Sequence, residues 1–497
     1  MGRPAQTRPT LQSVGKEVPR KSKNVGSLEK STTSTTMTTW AEFYRQIRDP
    51  SWPDCEQEDD FVKLPEHIQK ECHETFGYVP GAFKKQSKIA NRVFPINTDT
   101  ACQLKWTWST VYLTTENTAS CHRTNHHRFD TDTFDFHNTP SKLQDRQRML
   151  SGKWPERGCT YCQDIERAGG QSDRITNLNF PGIHAPPELD QDLNAVNVTP
   201  RMLEVYFDNT CNLKCLYCGP YFSSLWDAEN IRHGAGAFAK SKNIERNKQK
   251  IFDWLKQYGH NLTVFNILGG EPLYQDELDQ CLDLFDQHPA PELKLQIFTN
   301  LNAKLSRVQD LVERVKQLID QNKLREFEIT ASLDCWGDAQ EYVRYPLDLE
   351  IWQKNFEYLV GQSWINLIIN STITPLTVKT LPDLLEKINH WSQTRKIYHY
   401  QNSVNGPSYM FIDIFGGIFQ ADFDRAIAIK PNITPEEQSS RQYLQGIAQQ
   451  SSHRGVNVPE IKKLFSFLNE NDRRRSTHWP TVFPWLVEEF ARYDLKI

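Results

Sequence analysis

From residue 202 onward, the hydrophobic positions alternate between two kinds of pattern. Short runs rich in β-branched and aromatic residues are followed by longer stretches in which apolar residues recur every three or four positions. The runs predict strands and the stretches predict helices. The predicted strands are 202–208, 262–268, 293–299, 327–334, 365–373 and 410–415, and the predicted helices are 243–258, 276–285, 305–319, 351–360 and 379–390.

This alternation predicts an α/β fold with a parallel sheet, either open or closed into a barrel. Each helix returns the chain to the same end of the sheet, so that consecutive strands run parallel. Ligand sites are then expected where the strands end, at their carboxyl ends. Residues 416–497 predict further helices but contain no motif.

The chain before residue 202 has a different pattern. Residues 1–36 are rich in Ser, Thr, Lys, Arg and Pro and contain no aromatic residue, which predicts a disordered tail. Residues 37–97 predict short helices. Residues 98–125 include LKWTWSTVYLTT, whose alternation predicts a strand and is compatible with half of a hairpin. A helix, a cysteine pair and a second helix follow, and the proline-containing residues 177–198 predict a linker.

Composition narrows the class of protein. At 497 residues, with 38% hydrophobic and 24% charged residues, the chain is expected to form two to four soluble domains. A net charge of -4 gives no reason to expect a nucleic acid or an anionic membrane as partner. No apolar run reaches the roughly 18 residues of a membrane span, and the N-terminus has no apolar signal segment. We therefore expect a cytoplasmic protein.

Seven of the eleven cysteines form two groups, one of three and one of four. The odd total argues against a disulfide framework and the grouping indicates metal binding. Cys211, Cys215 and Cys218 follow the first strand of the α/β pattern. Three thiolates can bind three irons of a [4Fe–4S] cluster and leave the fourth iron open. A partial zinc site is the alternative, although zinc motifs usually include a second cysteine pair downstream.

The segment CNLKCLYC resembles the CxxxCxxC motif of the radical S-adenosylmethionine (SAM) superfamily, including the aromatic Tyr217 before the third cysteine. The resemblance implies that SAM chelates the open iron through its amino and carboxylate groups. It implies that SAM is cleaved to methionine and a 5′-deoxyadenosyl radical, which abstracts a hydrogen atom from the substrate. It also implies a partial (β/α)6 barrel over about residues 200–400, with Tyr217 near the adenine.

A glycine motif directly follows the second predicted strand and resembles the GGEP motif of the same superfamily. The resemblance implies that it binds the methionine amino group of SAM. Two adjacent glycines allow the backbone to approach a ligand closely, although a tight turn alone would also explain them. The motif comprises Gly269, Gly270, Glu271 and Pro272.

Polar residues end the later strands, where the resemblance implies further contacts with SAM. Leu301 occupies the position at which related enzymes often have the glycine of a Thr-Asn-Gly sequence. A strand-end cap or a turn is the alternative role for each polar residue. The candidates are Thr299 and Asn300 after the third strand, Ser332 and Asp334 (a Ser-x-Asp pair) after the fourth, and Asn370 and Thr372 at the end of the fifth.

The second group of cysteines lies upstream and has four members, which are Cys102, Cys121, Cys159 and Cys162. Four ligands close a metal site, so this site would be structural, electron-transferring or both. A structural zinc site and unligated buried thiols are the alternatives.

The upstream group is similar to the twitch domain of radical SAM proteins, a shortened SPASM domain that binds one auxiliary [4Fe–4S] cluster. This domain usually follows the barrel, but in one group of radical SAM proteins it precedes the barrel, as the four cysteines do here. The sequence WPERGCTYCQDIERAGGQSDR matches that group in its CxxC pair, acidic residue, glycine and Ser-x-Arg run. The hairpin departs from the pattern, because Glu116 and Asn117 stand where a glycine is usual. Asn tolerates positive φ, so a turn is still expected.

Other reactive or charged residues receive weaker interpretations. Cys335 follows a strand end and could act as a hydrogen donor, but a buried thiol is the favoured interpretation. Cys281 is expected in the core, and Arg473–Arg475 are expected to be a solvated basic run. Three histidines near Cys121 could donate hydrogen bonds around that site, and these are His122, His126 and His127.

Together, the two resemblances imply a radical SAM enzyme with an auxiliary cluster that acts on a peptide or protein and receives electrons from a reductant such as flavodoxin or ferredoxin. Modification of RNA or of a small molecule is one alternative, and a non-catalytic iron–sulfur or zinc protein is another. The predicted segments are a tail (1–36), a helical region (37–97), a twitch-like domain with its linker (98–197), the core (198–415) and a helical extension (416–497).

Overall fold

The computed structural model describes residues 44, 48, 51–53, 55, 58–74, 94–96, 98–156, 158–167, 172–177, 185–430 and 435–496. The chain forms two compact units, Met1–Ala90 and Asn91–Ile497. The tail predicted for residues 1–36 lies outside the described residues.

The first unit contains a 3-10 helix, Glu58–Lys63, followed by helix α1, Glu66–Glu74. Short helices are therefore present in the region where the sequence predicts them. The Tyr44 hydroxyl donates a hydrogen bond to the Pro53 carbonyl at 2.8 Å. Among the described residues of this unit, the buried hydrophobic ones are Tyr44, Trp52, Cys55, Phe61, Leu64, Ile68 and Cys72.

The second unit is built around one sheet, which contains nine strands among the described residues. The strands lie in the order β3-β2-β1-β4-β5-β6-β7-β8-β9. Their bounds are β1 Trp108–Tyr112, β2 Asn117–Ala119, β3 His127–Arg128, β4 Met202–Tyr206, β5 Val264–Leu268, β6 Lys294–Thr299, β7 Glu326–Ser332, β8 Asn366–Ile373 and β9 Tyr398–Ser403.

The sheet is mixed but mostly parallel. Strands β1, β2 and β3 pair antiparallel, as expected for a hairpin that continues into a third strand. Strand β1 also pairs parallel with β4, and each strand from β4 to β9 pairs parallel with the next. The predicted α/β fold with a parallel sheet is thus present, while closure into a partial barrel stays a prediction.

The pairing of β1 with β4 joins two segments that the sequence assigns to different domains. Tyr112 at the end of β1 lies opposite Tyr206 at the end of β4, and Tyr206 lies opposite Leu268 of β5. The upstream hairpin and the α/β core therefore share one continuous sheet. The predicted domain boundaries remain predictions.

The sixth parallel strand lies at a different place from the one predicted. Instead of a strand, residues 410–415 contain the end of one 3-10 helix, Ser408–Met410, and the start of another, Ile412–Phe419, with Phe411 between them. Strand β9 provides the sixth parallel strand. The apolar run at 410–415 reflects burial, because a fully buried helical turn and a buried strand have the same apolar composition.

The α-helices of the second unit cover the sheet and extend beyond it. Three more 3-10 helices are Gly259–Asn261, Pro272–Tyr274 and Val378–Thr380. The α-helices are α2 Gln103–Thr107, α3 Pro140–Leu150, α4 Thr160–Arg167, α5 Asp173–Asn177, α6 Glu188–Gln191, α7 Ser224–Arg232, α8 Ile244–Tyr258, α9 Asp276–Gln287, α10 Leu305–Asp320, α11 Asp338–Val343, α12 Leu349–Val360, α13 Leu381–Ser392, α14 Gln420–Ile429, α15 Pro435–His453, α16 Val458–Arg475, α17 Trp479–Val482 and α18 Pro484–Ala491.

Helix α10 shows how the apolar period places a helix on the sheet. Its apolar positions form one buried stripe, as the sequence predicts for an amphipathic helix. Each fully buried aliphatic side chain stabilises the fold by roughly 1.5–3 kcal/mol relative to exposure. The buried residues of this stripe are Val308, Leu311, Val312, Val315 and Leu318.

The predicted basic run at the end of α16 is only partly solvated. The side chain of Arg473 is 62% exposed, whereas that of Arg475 is 1% exposed and forms an ion pair with Glu229 of α7. The Arg475 guanidinium also lies 4.5 Å from the ring centroid of Trp226. The solvated-run interpretation is therefore wrong for Arg475, because α16 packs its last turn against α7.

Within the described residues, every helix is too short or too polar to span a lipid bilayer.

Candidate functional site

The loop between β4 and α7 contains Cys211, Cys215 and Cys218, and hydrogen bonds fix its path. Helix α7 begins after Ser223, whose hydroxyl accepts a hydrogen bond from the Trp226 N–H at 3.2 Å and donates to the Leu213 carbonyl at 2.6 Å. The Trp226 indole N–H donates to the Cys215 carbonyl at 2.8 Å. The cysteine loop is therefore anchored to the first turn of the helix that follows it.

The three thiols lie close enough to influence one another. Burial raises the pKa of Cys211, and Cys215 and Glu271 raise it further. Burial and the neighbouring Cys215 raise the pKa of Cys218 to about 12. Desolvated sulfurs of this kind favour the protonated form, so thiolates at these positions need a bound metal to compensate their charge.

The glycine motif packs directly on the cysteine loop. The Glu271 N–H donates to the Thr210 carbonyl at 2.7 Å. A Cβ atom on Gly270 would lie 2.1 Å from that carbonyl oxygen, and a Cβ on Gly269 would lie 2.6 Å from Cδ1 of Tyr206. Both glycines also have positive φ, at +85° for Gly269 and +57° for Gly270. Only glycine fits both positions, for reasons of space and of backbone conformation.

Glu271 of this motif is buried and connects two strand ends. Its carboxylate accepts hydrogen bonds from the Thr299 hydroxyl and the Asn300 N–H, both at 2.6 Å, and from the Leu273 N–H at 3.1 Å. Burial raises the pKa of Glu271 to about 7, although these hydrogen bonds oppose the rise. Pro272, the last residue of the motif, begins the following 3-10 helix.

The end of β6 also contacts the cysteine loop. The Asn300 side-chain amide donates to Oδ1 of Asn212 at 2.8 Å and lies 3.9 Å from the Cys211 sulfur. Leu301 has φ of +55°, a left-handed conformation that glycine adopts more readily than leucine. Left-handed backbone costs an L-residue roughly 1–2 kcal/mol, and burial of the Leu301 side chain, which is 1% exposed, offsets that cost.

Asp334 joins three segments around the cysteine loop. Its side chain is fully buried and accepts two hydrogen bonds from Arg344, each at 2.9 Å. The Tyr217 hydroxyl donates to it at 2.6 Å, and the Thr372 N–H donates at 2.8 Å. The structure therefore brings the predicted residues Tyr217, Asp334 and Thr372 together.

Arg344 is the residue of this cluster that the sequence does not indicate. It lies in no motif, and its only signal would be the general rule that a buried carboxylate needs a cationic partner. Many arginines could satisfy that rule, so sequence reasoning could not select Arg344.

Ser332 and Asn370 lie opposite each other in the pairing of β7 with β8. Both are half-buried, and residues directly opposite each other project from the same face of a sheet. The Asn402 side-chain amide donates to Oδ1 of Asn370 at 2.6 Å. Ser332 is the last residue of β7, whereas Asn370 lies within β8, three residues before its end. Their contact with SAM stays a prediction.

The four upstream cysteines line one cavity of about 50 Å³, although up to 60 positions separate them in the sequence. Cys102 precedes α2, Cys121 follows β2, and Cys159 and Cys162 lie at the start of α4. The pairing of β1 with β2 places Cys102 and Cys121 near the amino end of β1. The cysteine loop follows the carboxyl end of β4, so the two cysteine groups lie towards opposite ends of the sheet.

Burial and repulsion from neighbouring cysteines raise the pKa values of Cys102, Cys159 and Cys162. Burial raises the pKa of Cys102 to about 12, with smaller contributions from Cys121 and Cys159. Burial likewise raises the pKa of Cys159 to about 11. For Cys162, burial also raises the pKa, while hydrogen bonds from the Arg174 N–H and with the Ser172 hydroxyl oppose the rise.

Two buried cations also line this cavity, Lys105 and Arg174. Lys105 is 3% exposed and donates to Asp145 at 2.5 Å. Although burial lowers the pKa of Lys105, Cys159 and Asp145 raise it overall. Cations in this position would compensate the negative charge of thiolates bound to a metal.

Glu166, which follows the CxxC pair, forms one hydrogen-bond network with Ser172 and Arg174 of the Ser-x-Arg run. Glu166 accepts hydrogen bonds from Arg174 at 2.9 Å and from the Ser172 hydroxyl at 2.5 Å. Arg174 also donates to the Ala101 carbonyl at 2.7 Å, next to Cys102. These residues therefore hold the segments that carry Cys102 and Cys162 together.

In the turn between β1 and β2, the residue with positive φ is not the expected Asn117. Glu116 has the positive φ, at +58°, and Asn117 is the first residue of β2. The Glu116 carboxylate accepts hydrogen bonds from Ser241 at 2.5 Å and from Asn243 at 3.0 Å. These contacts hold Glu116 in a conformation that its residue type does not favour.

The three histidines of the hairpin region have separate surroundings. His122 lines the four-cysteine cavity and lies edge-on to Trp108, at 4.5 Å between ring centroids. His126 stacks on Tyr112 at 4.4 Å, and His127 lies 2.8 Å from the Thr139 hydroxyl. A role for them beside a metal site stays a prediction.

Cys281 and Cys335 are both fully buried in the hydrophobic core. Across the described part of the chain, no three His, Cys, Asp or Glu side chains are grouped so that they could hold one metal ion. A [4Fe–4S] cluster requires a different arrangement, because each of its irons takes its own thiolate.

Comparisons with known proteins do not identify a family. No family profile and no curated protein matches the chain. A solved structure described as "Native anSMEcpe with bound AdoMet and Kp18Cys peptide" is similar over 46% of this chain and 57% of its own length. The sequence identity is 16% and the TM-score is 0.31, so this likeness supports no argument about function.

Proposed function

We propose that this protein is a radical SAM enzyme that binds a [4Fe–4S] cluster through Cys211, Cys215 and Cys218. The observation that carries the proposal is the contact between two motifs that are distant in the sequence. Gly270 leaves no space for a Cβ atom against the Thr210 carbonyl, directly before Cys211. The glycine turn and the cysteine loop therefore form one surface at the carboxyl ends of the strands, where ligands bind in parallel α/β folds.

The residues present fit such a cluster. Three half-buried thiols on one anchored loop offer three ligands and leave a fourth iron free to bind SAM. When bound, the cluster supplies the electron that cleaves SAM to methionine and the 5′-deoxyadenosyl radical. The protein supplies the position of the ligands and the exclusion of water.

Glu271 and Asp334 act as positioning residues in this proposal. The hydrogen bonds of Glu271 join the glycine motif to the end of β6, and those of Asp334 join Tyr217 to β8. The half-buried residues Tyr217, Ser332 and Asn370 then provide groups that can face SAM. The bond from the Tyr217 hydroxyl to Asp334 orients the aromatic ring.

We further propose that the four upstream cysteines bind an auxiliary [4Fe–4S] cluster. Their convergence on one cavity, together with the two buried cations that line it, supports a closed and negatively charged site. Such a cluster can transfer electrons or stabilise the fold. A peptide or protein is the proposed substrate class, and it rests on the resemblance to the radical SAM superfamily.

The proposal predicts about eight irons per chain after anaerobic purification and reconstitution. With dithionite and SAM, the protein is expected to form 5′-deoxyadenosine. Cys215→Ala should remove about four irons and abolish 5′-deoxyadenosine formation, because three ligands are needed to retain the first cluster. Iron and sulfide analysis and liquid chromatography measure both effects.

Cys281→Ala is the matched control, because this buried thiol of α9 belongs to neither cysteine group. It should retain both the iron content and SAM cleavage. If the fully loaded wild-type protein forms no 5′-deoxyadenosine, the enzymatic proposal is wrong and a non-catalytic metal protein becomes the better interpretation.

The auxiliary site is tested by Cys159→Ala. We expect this change to lower the iron content by about half, to roughly four per chain, while the EPR signal of the reduced first cluster remains. Binding of one zinc ion by the wild-type protein, lost in Cys159→Ala, would show instead that the four cysteines form a structural zinc site.

A further inference from the structure

One face of α3 is buried and carries two cations. The buried residues of this helix are Lys142, Arg146 and Met149, which are four and three positions apart and therefore project from the same side. Lys142 is 1% exposed and Arg146 is 0% exposed. A buried helix face is normally apolar, because a buried charge loses its hydration. Two buried cations on one face therefore require a compensating partner.

The ammonium group of Lys142 is surrounded by neutral oxygens. Its Nζ donates to four oxygens at 2.8–3.0 Å, which are the carbonyls of Ala119 and Phe136 and the hydroxyls of Ser109 and Thr118. The Thr118 hydroxyl directs its own proton to a backbone carbonyl, so it accepts from Lys142. Two carbonyls and this hydroxyl thus need three N–H donors, which an ammonium has and a neutral amine lacks. The geometry indicates a charged Lys142.

Arg146 is likewise surrounded by groups without negative charge. It donates to the Lys105 carbonyl at 2.7 Å, the Val196 carbonyl at 2.6 Å and the Asn138 side-chain oxygen at 2.7 Å. Burial lowers the pKa of Arg146 to about 9. Within the described residues, neither Lys142 nor Arg146 forms an ion pair with a carboxylate.

Two further buried cations near the four-cysteine cavity are each paired with a carboxylate. Lys105 pairs with Asp145, and Arg174 pairs with Glu166. Burial lowers the pKa of both α3 cations, and Asp135 opposes only part of that effect. The Asp135 side chain is exposed, so water screens its charge. The region therefore has an excess of buried positive charge.

The four-cysteine cavity lies beside the α3 cations. Ala119, which accepts from Lys142, is two residues before Cys121. Burial lowers the pKa of Lys142, and a negative Cys121 opposes the fall. Met149, the last residue of the same α3 face, lines the cavity. Four thiolates that bind a [4Fe–4S]²⁺ core or one Zn²⁺ ion leave two negative charges. A centre of that charge would balance the two unpaired cations.

We propose that Lys142 is the charge partner of the four-cysteine centre, with Arg146 one helical turn away as a second cation, and that the ammonium raises the reduction potential of a cluster bound there. The inference rests on the proposed auxiliary cluster. When that cluster is reduced, it takes up one electron and gains one negative charge, and no bond forms or breaks. A buried cation stabilises the more negative form, because the low dielectric of the interior strengthens the attraction.

A purely structural role for Lys142 is the alternative. A neutral donor such as glutamine could bind the same carbonyls without the cost of burying a charge. The two roles have different consequences when the charge is removed or kept. A structural role depends on the size and hydrogen bonds of the side chain, whereas the proposed role depends on its charge.

The test uses the full chain with both clusters and the variant Lys142→Gln, which removes the charge and keeps a hydrogen-bond donor. Reduction by dithionite at controlled potentials is followed by EPR. Cys159→Ala and Cys215→Ala each lack one cluster and so assign the two signals. We expect the equilibrium constant for reduction of the auxiliary cluster to fall about tenfold, a shift of about 59 mV to lower potential. The first cluster should keep its potential.

Two further variants separate charge from packing. Lys142→Arg keeps the charge and should keep a potential close to that of the wild type. Lys153→Gln is the matched control, because it removes the same charge from an exposed position beside Trp154, which lines the cavity. It should leave the potential unchanged. The proposal is wrong if Lys142→Gln keeps the wild-type potential, or if Lys142→Arg or Lys153→Gln lowers it equally.

Loss of the auxiliary cluster from a variant is also informative. Retention in Lys142→Arg with loss in Lys142→Gln would show that the charge is needed for binding itself, which supports the proposal. Loss from both variants would show a packing role and overturn it.

Thermal unfolding followed by circular dichroism gives a second measurement that needs no redox-active centre. Loading with metal should raise the Tm less in Lys142→Gln than in the wild type, because the anionic centre has lost its partner. Equal rises would contradict the proposal. Zinc at the four cysteines of the wild type would refute the auxiliary cluster, and the same comparison with zinc as the metal would then decide whether Lys142 is the charge partner.

Discussion

Replacing Arg344 by alanine is expected to lower the free energy of unfolding by about 3–5 kcal/mol, because the change leaves a buried carboxylate without its cation. The side chain of Asp334 is fully buried, and within the described residues the Tyr217 hydroxyl and the Thr372 N–H would remain as its partners. Urea denaturation followed by circular dichroism measures the loss. The effect should extend to the cysteine loop, because the Leu216 N–H donates to the Val343 carbonyl beside Arg344.

Arg314→Ala is the control, because Arg314 forms ion pairs with Asp279 and Asp283 in which each side chain is at least 29% exposed. A pair exposed in this way is worth no more than about 1 kcal/mol. The double variant Arg344→Met/Asp334→Leu should recover part of the lost stability, because it removes both buried charges. Equal losses from Arg344→Ala and Arg314→Ala would contradict the role given to Asp334 and Arg344.

Gly270→Ala is expected to lower SAM cleavage about 100-fold, since a displacement of about 1 Å at a reacting site has effects of that size. The new Cβ would lie 2.1 Å from the Thr210 carbonyl oxygen, so the glycine turn and the cysteine loop must move apart. The positive φ of Gly270 adds strain for any L-residue. The rate of 5′-deoxyadenosine formation and the dissociation constant of SAM measure the result.

Gly446→Ala is the control, because it adds the same methyl group at a glycine outside the site. Gly446 lies within α15, and an added Cβ there meets no atom within 4 Å. The change should raise stability slightly, by about 0.5–1 kcal/mol, because alanine favours a helix over glycine. Wild-type SAM cleavage in Gly270→Ala would show that the contact with Thr210 has no part in the site.

The period of apolar residues was sufficient to locate β4 to β8 and one helix after each of them, while α7 and α11 were not predicted. These strands are buried by helices on the outer face of the sheet, so they carry a strong apolar signal. Strand β9 was missed because its sequence is YHYQNS, whose few apolar residues include the exposed Tyr400. Its buried face contains the polar residues His399 and Gln401, whose hydrogen bonds replace apolar contact.

The candidate site was predictable only in part, because some of its residues form local motifs and others meet only when distant segments pack together. Cysteine spacing and a double glycine depend on local chain geometry, so they are visible in the sequence. The ionic partners Arg344 and Arg475 depend on which segments meet in space, and neither residue belongs to a recognisable motif. The conformation of Leu301 could not be foreseen either, because burial of its side chain offsets the cost of positive φ.

The sequence by itself determined that two cysteine groups, a tight glycine turn and an alternation of strands and helices are present. Each of these follows from residue types at short spacing. Only the tertiary structure decided that both cysteine groups belong to one sheet and lie towards its opposite ends. That arrangement depends on the pairing of β1 with β4. There the Thr110 hydroxyl donates a hydrogen bond to the carboxylate of Glu204, which lies 94 positions further along the chain. A contact at that separation is set by the packing of the whole sheet, which no local pattern encodes.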